Sequence, residues 1–181
     1  WSYHLVNLAI HLGAALTLFG LVRRTAALRP QLSTLSCNAV AWATALLWAT
    51  HPLQTESVSY IVQRAESLMG LCLFLTLYGF VRACDCHLLN DNGAEGAAAR
   101  NRWLGVSVGA CLLGVTTKEV MVVAPVLVLL YDRCFVGGSF QAALQARGRF
   151  HALLFATWIP LAALVVHTGD RGGTIGAEAG I

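Results

Sequence analysis

Charge is what this sequence has least of. Only 12% of its 181 residues are Asp, Glu, Lys or Arg, nine acidic against twelve basic, while 57% are hydrophobic and the mean hydropathy is +0.65. A soluble domain carries about twice that share of charge to keep its surface wet, so the shortage excludes that class and leaves a membrane protein. Also missing is a second pair of zinc-spaced ligands beside Cys84-Asp85-Cys86-His87, which argues against a metal site there. The cysteines at 37, 72, 84, 86, 111 and 134 lie mostly in or beside apolar runs and read as small core hydrophobes. Trp1-Ser2-Tyr3-His4 offers no initiator Met or basic stretch, so no signal peptide is legible and the start reads as a cut. The small-residue run from Gly169 stops without a closing helix, and a cut is expected there too.

Apolar runs are abundant. They recur at about 5–22, 35–50, 67–82, 103–117, 120–131 and 150–167, each bounded by charged residues, Pro or Gly. This pattern predicts an all-α, polytopic membrane helix bundle of about six transmembrane helices, one partial membrane domain over 1–181. Four prolines and 17 glycines do not oppose it, since spanning helices tolerate both where neighbours satisfy the freed backbone. A crossing takes about 20 residues at 1.5 Å each, so 103–117 and 120–131 are short. Those two runs could be one helix with Lys118-Glu119 at its centre, or a hairpin with its tip there.

Arginine placement decides between them. Six alternating spans put Arg23, Arg24, Arg29, Arg82, Arg100, Arg102, Arg133, Arg147 and Arg149 on one face and Arg64, Lys118 and Arg171 on the other, nine against three. Fusing the two runs sends Arg133, Arg147 and Arg149 out to join Arg64 and brings Arg171 in, seven against four with Lys118 stranded. Lys and Arg concentrate on cytoplasmic loops, so the hairpin is preferred. The first helix then runs inward, the loop 83–102 is cytoplasmic and the tail after His167 is outside.

The arginines flanking cytoplasmic loops are ordinary topology signals. The outer face differs, because His51, Glu56, Arg64, Glu66, Lys118 and Glu119 are few, of mixed sign and placed at the ends of apolar runs. An ionisable group at membrane depth costs several kcal/mol unless it faces a wet cavity or a partner, which makes these functional candidates. Between residues 51 and 66 Pro52 stops one helix, and Glu56, Tyr60, Gln63 and Arg64 are spaced for one face of a short helix at the outer interface. The plainer alternative has Glu56 and Arg64 solvating an interfacial turn and Lys118-Glu119 pairing locally. His4, Asn7 and His11 share a stripe of the first helix, and His11 is expected to make an interhelical hydrogen bond.

The runs Tyr3-His4-Leu5-Val6-Asn7-Leu8-Ala9-Ile10-His11, His51-Pro52-Leu53-Gln54-Thr55-Glu56 with Gln63-Arg64-Ala65-Glu66, and Thr117-Lys118-Glu119 with Leu130-Tyr131-Asp132 carry a resemblance. Together they resemble the membrane domain of the transmembrane and tetratricopeptide-repeat O-mannosyltransferases and their bacterial relatives, in the GT-C glycosyltransferase superfamily. The resemblance implies transfer of a sugar from a polyprenyl-phosphate donor to a protein or glycan acceptor on the non-cytoplasmic side of a bilayer, with no nucleic-acid partner. It also implies an N-terminal helix and loop with the catalytic carboxylate upstream of this chain, and repeats downstream, so the catalytic residue is unknown here and the piece alone is expected to be inactive. It assigns no cofactor or metal ligand to this chain and leaves a divalent metal to the complete enzyme. The run Lys118-Glu119-Val120-Met121-Val122 points toward bacterial members, hence an inner membrane in preference to the endoplasmic reticulum.

On this reading Arg64 and Lys118 face the donor phosphate, because a leaving phosphate gains charge and needs fixed cations in a poorly hydrated site. Glu56, Glu66 and Glu119 orient those cations or contact sugar hydroxyls, and His51 lines the pocket or plays a structural part before Pro52. The alternative is a non-enzymatic transport or scaffold module. Residues 1–90 and 91–181 show no self-similarity and the unusual charges gather at one face, which favours a one-sided site.

Overall fold

The computed structural model describes residues 2–52, 64–88 and 94–172. The described residues are helical, without strands: α1 Ser2–Ala27, α2 Thr34–Ala49, α3 Arg64–Leu88, α4 Ala94–Thr117, α5 Ala124–Tyr131, α6 Phe140–Ala156 and α7 Trp158–Gly172. A 3-10 turn, Glu119–Val123, leads into α5 and a π-helical turn, Asp132–Gly137, continues it. Among the described residues three stretches are long and apolar enough to cross a membrane, His4–Ala27, Arg64–Cys86 and Glu119–Gly137, with Thr34–Ala49 a shorter apolar helix. The outer interfacial helix expected between residues 51 and 66 falls mostly on 53–63, outside the described residues.

Helices α1 and α2 are antiparallel, with His11 stacked on Trp48 and Phe19 against Trp42. Ser33 caps α2 by accepting from the Ser36 N–H, which satisfies one of the donors a helix start leaves open. Helix α3 runs parallel to α1, since Asn7 meets Arg64 at one end and Arg24 meets Asp85 at the other. Helix α4 returns antiparallel to α3, and the two touch so closely that a Cβ at Gly79 would come within 2.9 Å of the Trp103 carbonyl oxygen. There the Ser107 hydroxyl donates to the Thr76 carbonyl at 2.7 Å, a small-residue contact of the kind that joins helices in lipid.

The chain reverses at Lys118, whose extended backbone (φ −154°, ψ 144°) ends α4. Met121 folds back, fully buried, into space that Gly114 leaves free; a Cβ there would meet it at 2.6 Å. The run around 120–131 is thus lengthened by the 3-10 turn before it and the π turn after it, to 19 residues over Glu119–Gly137. At about 1.5 Å each they approach the depth of a hydrocarbon core.

The expected loop 83–102 is largely helical. Helix α3 continues to Leu88 and α4 starts at Ala94, because Ala94 to Ala99 are rich in the best helix former. The run at 150–167 is divided between α6 and α7 at Thr157, where Pro160 has no N–H to offer the preceding turn. Helix α6 also bends at Arg147 (φ −135°, ψ 23°).

The core is narrow. Phe80 stacks on Phe150 at 5.4 Å, with Met121, Val128 and Leu154 fully buried around it. Much of the apolar surface faces outward: Leu16 is 64% exposed, Leu47 71% and Ile159 72%. In a bilayer that surface meets acyl chains, and small or polar residues are left to join the helices. Cys37, Cys72, Cys84 and Cys111 are buried as expected for small hydrophobes, while Cys134 lies exposed on the π turn.

Candidate functional site

Polar groups gather at both ends of the bundle. At the arginine-poor end, Arg64 opens α3 and its Nε donates to the Asn7 side-chain oxygen at 3.1 Å, with Asn7 itself fully buried on α1. Two residues further, Glu66 forms an ion pair with Lys118 from the reversal between α4 and the 3-10 turn. Lys118 therefore pairs across the bundle and not with its neighbour Glu119, which is exposed. Both members of the pair keep a third or more of their side-chain surface open, so the bridge adds little stability; what it records is proximity.

His11 makes the interhelical hydrogen bond expected of it: its Nε2 lies 3.0 Å from the Ala49 carbonyl oxygen, just before the exposed His51. The structure thus gathers Arg64, Glu66 and Lys118 at one end and leaves Glu119 facing outward beside them; Glu56 is outside the described residues.

The opposite end holds contacts that sequence reasoning read only as topology. Arg24 pairs with Asp85, and the Arg82 guanidinium lies 4.7 Å from the centre of the Trp103 ring. Asp132, in the π turn, is fully buried and accepts from Arg147 Nε at 2.8 Å, Arg147 Nη2 at 2.6 Å and His151 Nε2 at 2.8 Å. Hydrogen bonding to Asp132 pushes the Arg147 guanidinium above its already high range, so its charge is permanent. The signals were present: a carboxylate ending an apolar run, and Arg147 and His151 four apart on one helical face. Among the described residues no three His, Cys, Asp or Glu side chains converge as a metal site.

Fold and polar groups define a polytopic helical membrane protein with a mixed-charge cluster at its arginine-poor end. The chain is similar to the protein O-mannosyl-transferases, the group its three motifs resemble. It is 32% identical over 126 residues to Protein O-mannosyl-transferase Tmtc3 of Drosophila melanogaster, a match covering 62% of this chain and 13% of that protein. It is 27% identical over 148 residues to Protein O-mannosyl-transferase TMTC4 of Homo sapiens, covering 75% and 18%. With Protein O-mannosyl-transferase Tmtc2 of Drosophila melanogaster it shares 31% over 136 residues, covering 73% and 12%. The chain therefore spans less than a fifth of the length of these curated relatives. No family model matches it, and no solved structure does.

Proposed function

We propose that this chain is part of a membrane glycosyltransferase that moves a sugar, mannose by the names of its relatives, from a polyprenyl-phosphate donor to a protein acceptor on the non-cytoplasmic side. The observation that carries this reading is the Lys118–Glu66 ion pair beside the Arg64–Asn7 hydrogen bond, which brings two cations from separate motifs to one end of the bundle. As the glycosidic bond breaks, the departing polyprenyl phosphate gains negative charge; Arg64 and Lys118 meet it, with Lys118 exchanging Glu66 for phosphate oxygen. Glu66, Glu119 and Glu56 then face the sugar hydroxyls or steer the cations, and His51 borders the site. The site faces the lumen of the endoplasmic reticulum or a periplasm; the animal origin of the named relatives favours the first, against the expectation drawn from Lys118 to Val122.

The test is mannosyl transfer by the complete protein with Arg64→Ala, Lys118→Ala and both. Each single change is expected to lower turnover by about a hundredfold, as loss of one charged contact to a developing anion does, and to weaken retention of a polyprenyl-phosphate mannose donor. Glu66→Gln frees Lys118 and should leave donor retention intact or raised. Undiminished turnover and donor binding in both alanine variants would refute the phosphate role.

A further inference from the structure

The arginine-rich end carries a cavity that the proposed transfer does not use. It measures about 490 Å³ and lies between the end of α3, the start of α4 and the bend of α6, with Arg100, Asn101, Arg147 and Arg149 on its walls. Asp132 already neutralises Arg147, but among the described residues Arg100 and Arg149 have no acidic partner and no acidic side chain lines the cavity. Next to it a groove of about 590 Å³ runs along α4 and α6; Asn101, Leu104, Arg149 and Phe150 line both.

The groove's remaining wall is apolar and smooth. Gly105 and Gly109 lie four apart, on one face of α4, and a Cβ built on either meets nothing within 4 Å. From Asn101 to Leu112 the groove follows α4 for about 16 Å, roughly the depth of one leaflet. A polar, cationic head chamber that opens into an apolar trough one leaflet deep has the form of a phospholipid.

We propose that this chamber binds the headgroup phosphate of an anionic phospholipid from the leaflet at the arginine-rich end, with an acyl chain lying in the groove beside Gly105 and Gly109. Arg100 and Arg149 supply the uncompensated charge, Asn101 a hydrogen-bond donor, and Leu104 and Phe150 the turn from head to tail. By the arginine distribution this is the cytoplasmic leaflet, where anionic lipids concentrate. The donor site proposed above lies at the other end of the bundle, and nothing here depends on it.

Native mass spectrometry of the complete detergent-purified protein, titrated with phosphatidylglycerol or with phosphatidylcholine of the same chains, reads the binding. Phosphatidylglycerol should be retained about tenfold more strongly, and Arg100→Gln with Arg149→Gln should bring it down to the phosphatidylcholine level. Gly109→Leu, whose side chain enters open space, should weaken retention while leaving both arginines in place and thermal unfolding unchanged. Equal retention of the two lipids, or a double glutamine variant that still prefers phosphatidylglycerol, overturns the proposal. So does the pattern of a free-phosphate site, in which glycerol 3-phosphate displaces the lipid and Gly109→Leu changes nothing.

Discussion

Asp132→Ala is expected to lower the unfolding free energy by about 3 kcal/mol, the usual result of removing one partner from a buried ion pair. The carboxylate is fully buried and accepts three hydrogen bonds, two from Arg147 and one from His151. Alanine leaves a permanently charged guanidinium and a buried imidazole facing an empty site. His151 has no slack, because its Nδ1 is buried without a hydrogen-bond partner among the described residues. The expected source of the loss is the orphaned charge, which a second change can isolate: Asp132→Ala with Arg147→Met should recover a large part of it. Denaturant unfolding of the detergent-purified protein measures both. If the double variant is no more stable than Asp132→Ala, the loss comes from the cavity and not from the charge.

Gly79→Ala is expected to destabilise by about 1–3 kcal/mol, the range for forcing extra atoms into a packed contact. The added methyl would stand 2.9 Å from the Trp103 carbonyl oxygen and 3.0 Å from the Ser107 nitrogen, backbone atoms that no rotamer change can move. Helices α3 and α4 would have to separate, stretching the Ser107 to Thr76 hydrogen bond. Gly70→Ala in the same helix meets nothing within 4 Å and should gain about 0.5–1 kcal/mol from reduced backbone freedom. The two variants are compared in one unfolding series. A Gly79→Ala protein as stable as the parent would mean that the helices do not touch there in the membrane.

The reversal at Lys118 shows how much of the fold was legible. Counting arginines on each side preferred a hairpin tip at 118–119, because charge distribution is a property of the whole chain that composition and order already contain. The same reasoning could not see that Lys118 reaches Glu66, 52 positions away, in place of its neighbour Glu119. Nor could it find that Asn7 holds Arg64, since a stripe on α1 says which face is polar and not what lies across from it. The helical start of α4 within 83–102 was missed because its mostly exposed, Ala-rich first turns have no apolar period to announce them.

Arg147 marks the other limit. In the sequence it is one more flanking cation, four positions from His151, with nothing that singles out Asp132 as the partner of both. Only the π turn, which carries Asp132 into the core after α5, turns that cation into half of a buried pair.

Sequence alone determined that this is a helical membrane protein and where along the chain its apolar runs and positive charges collect, because transfer free energy and charge bias add up residue by residue along a chain. Which charges meet was decided by the tertiary structure. Ion pairs such as Lys118 with Glu66 and Arg147 with Asp132 depend on helix rotation and close approach at positions like Gly79 and Gly114, and those are set by packing between segments distant in the chain.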